Sequence, residues 1–194
     1  MLKGSAGILY VSPGVRFGLN AFGAYKDGTD PNYTNKMQYT AYDLSTYYYT
    51  NIPKVNIAYS LQINGQYSRD SLFLTEGMYV GSFYTVRGFR NVGILADTAI
   101  YARNNFTYNL GKISKLASGF DIIPHFDIGY VKQNAIYGVS DTIGSVGIGL
   151  NYTHKLFRTS LTYSSAVIVP QAYKAYHATQ DGSGILYLTI DTTF

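Results

Sequence analysis

The residue in this chain most in need of a chemical partner is Arg87, set in the run Gly81-Ser82-Phe83-Tyr84-Thr85-Val86-Arg87-Gly88-Phe89-Arg90. A guanidinium among glycine and apolar side chains needs an anion to face, and a carboxylate matches its planar fork. Gly88 lets the backbone turn or lie close against another strand, and Phe89 can anchor the tip. The other reactive residue types form no constellation. His125, His154 and His177 are far apart and lack metal-ligand spacing, so no metal site is expected. With zero Cys there is no disulfide, thiolate ligand or thiol nucleophile. No Ser, His and acid sit in a nucleophile-elbow context, so neither an enzyme nor a cofactor is expected.

Composition narrows what surrounds Arg87. The 194 residues include 21 Tyr and no Trp, and only 13% are charged, against about 25% in ordinary soluble domains. No stretch of about 18 apolar residues exists, which excludes a transmembrane helix. Poverty in charge, richness in Tyr and Gly, and interrupted hydrophobicity fit a membrane β-barrel. A soluble β-sandwich remains open on composition alone. The net charge of +4 is mild and its Lys and Arg are scattered, so no nucleic-acid partner is expected. Residues 1–11 carry one positive side chain and a Gly-broken apolar stretch too short for a good signal peptide. An exported protein would then lack its N-terminal part here.

The elements that must hold the Arg87 run read as long strands. From Val55 to Ser68, Val55, Ile57, Tyr59, Leu61, Ile63, Gly65 and Tyr67 alternate with polar and small residues, giving one oily and one wet face. Similar patterns run over 14–26, 36–49, 95–110, 120–132, 143–153 and 156–169. In the second of these the alternation breaks near Asp43, which predicts a bulge. Every firmly placed charge, including Arg16, Arg103, Asp121, Asp127 and Arg158, lies on the polar face. A Lys or Arg facing lipid at mid-depth costs about 2–4 kcal/mol, so the polar face is the lumen.

Connections alternate between short (49–55, 153–156) and long (27–35, 70–94, 133–142, 170–184), as at the two rims of an outer-membrane barrel. Tyr47, Tyr48 and Tyr49 beside a short turn fit an interfacial girdle. The last segment, from Gly184, is an eighth strand that puts Leu186, Leu188, Ile190, Thr192 and Phe194 toward lipid and Asp191 toward the lumen. It resembles the C-terminal insertion signal of bacterial outer-membrane proteins. That resemblance implies recognition of Phe194, Ile190 and Leu188 by the barrel assembly machinery.

The stretch Phe73 to Arg90, with Val86-Arg87-Gly88-Phe89 at its core, resembles the sixth-loop signature of the Omp85 superfamily. Its continuation through Gly93, Asp97 and Tyr101-Ala102-Arg103-Asn104 is similar to the two-partner secretion (TpsB) transporters of the haemolysin-activator and filamentous-haemagglutinin type. The resemblance implies that Arg87 folds back into the barrel and pairs with an Asp two strands on, within a Phe/Gly-x-Asp-x-Gly motif. Here that strand reads His125-Phe126-Asp127-Ile128-Gly129. Asp127 and Gly129 match, and His125 departs from the pattern.

The fold class expected is therefore an all-β transmembrane antiparallel barrel with about eight strands present. Residues 1–194 would form one barrel domain, the C-terminal half of a sixteen-stranded barrel, with 70–94 as the loop carrying the motif. The resemblance implies POTRA domains and N-terminal strands outside this chain. Eight strands alone leave two open edges in lipid, so another half or another chain is expected as a partner. The implied function is export of an unfolded TpsA-like exoprotein across the bacterial outer membrane, with outer-membrane lipid as the other partner. Alternatives are an Omp85-type insertase, a small structural or adhesive barrel without transport, and a soluble all-β binding module.

Overall fold

The computed structural model describes residues 2–4, 7–24, 26–28, 34–90, 93–134, 138, 140–170 and 184–192. These residues form eleven strands: β1 (Leu2–Gly4), β2 (Gly7–Phe17), β3 (Thr40–Ile52), β4 (Ile57–Ser68), β5 (Met78–Val80), β6 (Ile94–Ala96), β7 (Thr98–Asn109), β8 (Phe120–Lys132), β9 (Ser140–Thr153), β10 (Phe157–Ile168) and β11 (Ile185–Thr192). Eight of them are long and pair antiparallel, in the order β2-β3-β4-β7-β8-β9-β10-β11, and the three-residue β1 lies on the outer side of β2. No ladder among the described residues joins β11 back to β1 or β2, so the sheet is an open stretch of barrel wall and not an eight-stranded closed ring.

Period-two alternation decides which face each residue occupies. Tyr67, Ile100, Phe126, Ile128, Val146, Ile148, Leu161 and Leu188 stand exposed on one face. Gln66, His125, Asp127, Ser145, Asn151 and Ser164 are buried on the other. An apolar exposed face opposite a polar covered one is the inside-out arrangement of a membrane barrel wall. Turns at one rim are tight. Asn56 takes φ 57° between β3 and β4, while His154 N–H donates to the Phe157 carbonyl at 2.8 Å between β9 and β10. Two 3-10 turns, at Leu110–Lys112 and Lys115–Ala117, join β7 to β8.

Three expectations need correction. The first long strand is Gly7–Phe17 and not 14–26, because its length is set by β3, whose pairing runs from Ile8↔Tyr49 to Phe17↔Thr40. Pro13 fits inside it because β2 has no second neighbour beyond Leu9 among the described residues, and an edge spares the missing N–H. No bulge occurs at Asp43: the β3–β4 register is unbroken from Ala41↔Ser68 to Ile52↔Ile57. The register shift lies instead in β10, between Ala166 and Ile168. The three tyrosines do not form one girdle, since Tyr48 meets Tyr59 on the outer face while Tyr47 and Tyr49 line a recess on the inner one.

The segment from 70 to 94 carries structure of its own. β5 and β6 pair as a two-stranded ribbon at its root, from Met78↔Ala96 to Val80↔Ile94. Beyond them the chain folds onto the concave face of the large sheet. Val80, Val86 and Phe89 from this segment and Ala96 at the end of β6 join Ala99, Tyr101, Val131, Ile143 and Ala166 of the wall in one buried apolar cluster. The apolar core of this protein therefore lies between the loop and the wall.

Candidate functional site

Arg87 reaches the wall at β8. Its Nε donates to Asp127 Oδ2 at 2.7 Å and its Nη2 to Asp127 Oδ1 at 2.7 Å, while its own backbone N–H donates to Oδ2 at 3.1 Å. Nη2 also donates to Asn105 Oδ1 of β7 at 2.9 Å. The two side chains are 6% and 0% exposed, so this is a buried, bidentate pair. Its members need each other, because removing one strands the other charge at a cost of about 3–5 kcal/mol.

The residues around Arg87 fit it to the wall. Gly88 takes φ +84°, and a Cβ there would lie 3.0 Å from Ala166 N and Ser165 C of β10, so the loop backbone rests directly on the wall backbone. Its N–H donates to the Tyr187 hydroxyl of β11 at 3.1 Å. Phe83 packs on the same Tyr187 ring with centroids 4.8 Å apart. Val86 is fully buried above Gly129, whose missing side chain leaves it room. Thr85 Oγ1 accepts from the backbone N–H groups of Gly81 and Ser82 at 2.9 and 3.0 Å, which tightens the tip turn.

His125 is buried beside this pair, its Nε2 2.8 Å from Ser164 Oγ. A side chain at Gly147 would run into the imidazole, so that glycine makes the space. Arg103 sits opposite Asp127 in the β7–β8 register and donates from Nη1 to the Tyr84 carbonyl at 3.1 Å.

Two further anchors hold the loop root. Asp97 accepts the backbone N–H of Leu72 on Oδ1 at 2.7 Å and that of Asn134 on Oδ2 at 2.6 Å, tying two rim connections to one carboxylate. Arg16 of β2 donates to both oxygens of Asp43, at 2.8 and 3.1 Å, to Gln66 Oε1 at 2.6 Å and to Glu76 Oε2 at 3.0 Å. Tyr39 donates its hydroxyl to the same Glu76 oxygen. Burial, reinforced by Glu76, pushes this phenol up from its ordinary pKa. Asn105, Tyr187 and the Arg16 network lie outside the motifs. Inward parity is the only sequence signal for Arg16 and Asn105.

Ile190 and Leu188 of β11 lie exposed on the outer face, and Phe194 falls outside the described residues. Between the loop tip and the tight-turn rim is an open recess of about 310 Å³ bordered by Tyr47, Tyr49, Phe83, Arg87, His125 and Arg158. Among the described residues no cluster of acids and histidines could hold a metal ion. The arrangement can fix a loop in a lumen by charge and shape.

Two solved structures share this architecture. CdiB from Escherichia coli superposes with a TM-score of 0.83 at 19% identity, over 99% of this chain and 34% of its own. CdiB from Acinetobacter baumannii gives 0.66 at 20% identity, over 81% of this chain and 28% of its own. The chain thus spans about a third of the length of the structures it matches. No curated protein matches it. A family model described as haemolysin secretion/activation protein ShlB/FhaC/HecB matches residues 1–152, from β1 to the end of β9 with the whole loop. A match over more than three-quarters of the sequence, on a barrel wall with a loop folded against its concave face, places this chain in the ShlB/FhaC/HecB family of haemolysin secretion/activation proteins.

Proposed function

We propose that this chain is part of an outer-membrane translocator that exports an unfolded partner protein, a TpsA-like haemolysin or adhesin, through the lumen its concave face helps to enclose. The observation that carries the reading is the loop: a 70–94 segment seated inside the wall by a buried ion pair between Arg87 and Asp127. A loop in that place obstructs a path across the membrane. At its tip the loop is held by the Arg87–Asp127 pair and an apolar cluster, and loss of that pair frees the tip while the root stays anchored. Val86, Arg87, Gly88 and Phe89 form the closing tip, Asp127 and Gly129 receive it, and none of them acts as a catalyst. The convex face of exposed Leu, Ile, Val and aromatic residues meets lipid, and the open edges pair with further strands that complete the barrel. The β11 pattern of Leu188 and Ile190, extended by Phe194, serves assembly into the membrane.

Comparing the protein content of the growth medium and outer membrane between a gene deletion and its parent tests this. The expected result is loss of one large protein from the medium with other outer-membrane barrels unchanged. Depletion of many outer-membrane barrels would instead mark an insertase, and an unaltered medium would mark a barrel without transport.

A further inference from the structure

Arg103 and Asp127 are direct partners across the β7–β8 ladder, both on the concave face. Side chains so placed have Cβ atoms about 4.5–5.5 Å apart, within easy reach of an Arg–carboxylate contact. Yet the carboxylate is taken by Arg87, which occupies both its oxygens. Arg103 turns to the loop and donates Nη1 to the Tyr84 carbonyl. Its Nε is buried with no hydrogen-bond partner among the described residues. Two guanidiniums thus compete for Asp127, and the one on the wall is underused while the loop is in place.

We infer that Arg103 is the exchange partner of Asp127: when the loop tip withdraws, Arg103 moves from the Tyr84 carbonyl onto the carboxylate that Arg87 leaves. Withdrawal takes the Arg87 cation away from Asp127, and Arg103, opposite it in the ladder, is placed to replace that cation. The wall then exchanges one Arg–Asp pair for another and satisfies the Arg103 Nε at the same time. Arg103 is then a positioning residue for the open state. This rests on the reading of the loop as a removable obstruction, and the test separates the two.

The protein has no Cys, so introduced cysteines are the sole labelling sites within this chain. Spin labels at Tyr84→Cys on the tip and Leu116→Cys on the tight-turn rim, both exposed in the loop-in state, report loop position by double electron–electron resonance in the full-length protein in lipid. Arg87→Gln is expected to raise the loop-out population at least tenfold. Arg103→Gln added to Arg87→Gln is expected to lower it again severalfold, and Arg103→Lys to lower it less. A role for Arg103 only in closing, through the Tyr84 carbonyl, predicts the opposite sign. An unchanged or larger loop-out population in the double variant would overturn the exchange while leaving a removable loop intact. A loop that stays in even with Arg87→Gln would overturn both.

Discussion

Val86 rests on Gly129: a Cβ built on that glycine would lie 3.1 Å from Val86 Cγ2 and 3.2 Å from Val80 Cγ1. The Gly of the wall motif is therefore a seat for the loop, two residues from the Asp that receives its Arg. Gly129→Ala forces a shift of a few tenths of an ångström that the two valines can share, whereas Gly129→Leu cannot fit beneath them. The larger substitution is expected to cost about 1–3 kcal/mol as overpacking and to unseat the tip. Protease cleavage within 70–94 should accelerate for Gly129→Leu and stay near the parent rate for Gly129→Ala.

Gly88 is the stricter glycine. Its φ of +84° disfavours any side chain, and the β10 backbone lies 3.0 Å from where a Cβ would stand. Gly88→Ala should therefore open the loop more than Gly129→Ala, although the two substitutions add the same methyl group. Parallel cleavage rates of the two variants check it.

Asp97 joins the loop root to the β8–β9 connection through two backbone N–H groups. Asp97→Ala leaves both donors short of a partner in a buried setting, a loss of about 1–3 kcal/mol for each donor left unsatisfied. Amide hydrogen exchange at Leu72 and Asn134 should rise together, with β9 and β10 amides unchanged.

Arg16→Gln removes the cation shared by Asp43 and Glu76. Because this cluster is about one-third exposed, solvent screens it and the expected stability loss is small, about 1 kcal/mol or less. The effect should shrink with added salt, unlike that of Arg87→Gln. Urea midpoints at low and high ionic strength distinguish the two.

Much of this was legible in the alternation of residues. The span Phe120–Lys132 matches β8 at both ends, and its parity alone puts Asp127 inward. The alternation fails where tertiary partners set the limits. Val15, Phe17 and Leu19 continue one pattern, yet β2 stops at Phe17, with a last bond from Gly18 N–H to the Tyr39 carbonyl, because β3 begins at Thr40. Nor does parity reveal that Arg16 would meet Glu76, 60 residues on, or that Tyr187 would receive the Gly88 N–H from 99 residues away. Such contacts depend on where a loop lands. A repeating pattern of side chains carries no record of that.

In the proposed function Arg87 and Asp127 act as one unit holding the loop in the lumen. Single-channel recording of the full-length protein in planar bilayers, with Arg87→Gln, Asp127→Asn and the double variant, tests it most directly. Each single substitution should raise the open probability at least tenfold, and the double should raise it by no more than the larger single, since the pair is broken only once and neither charge is left stranded. Effects that multiply in the double variant, or single variants as closed as the parent, would contradict it.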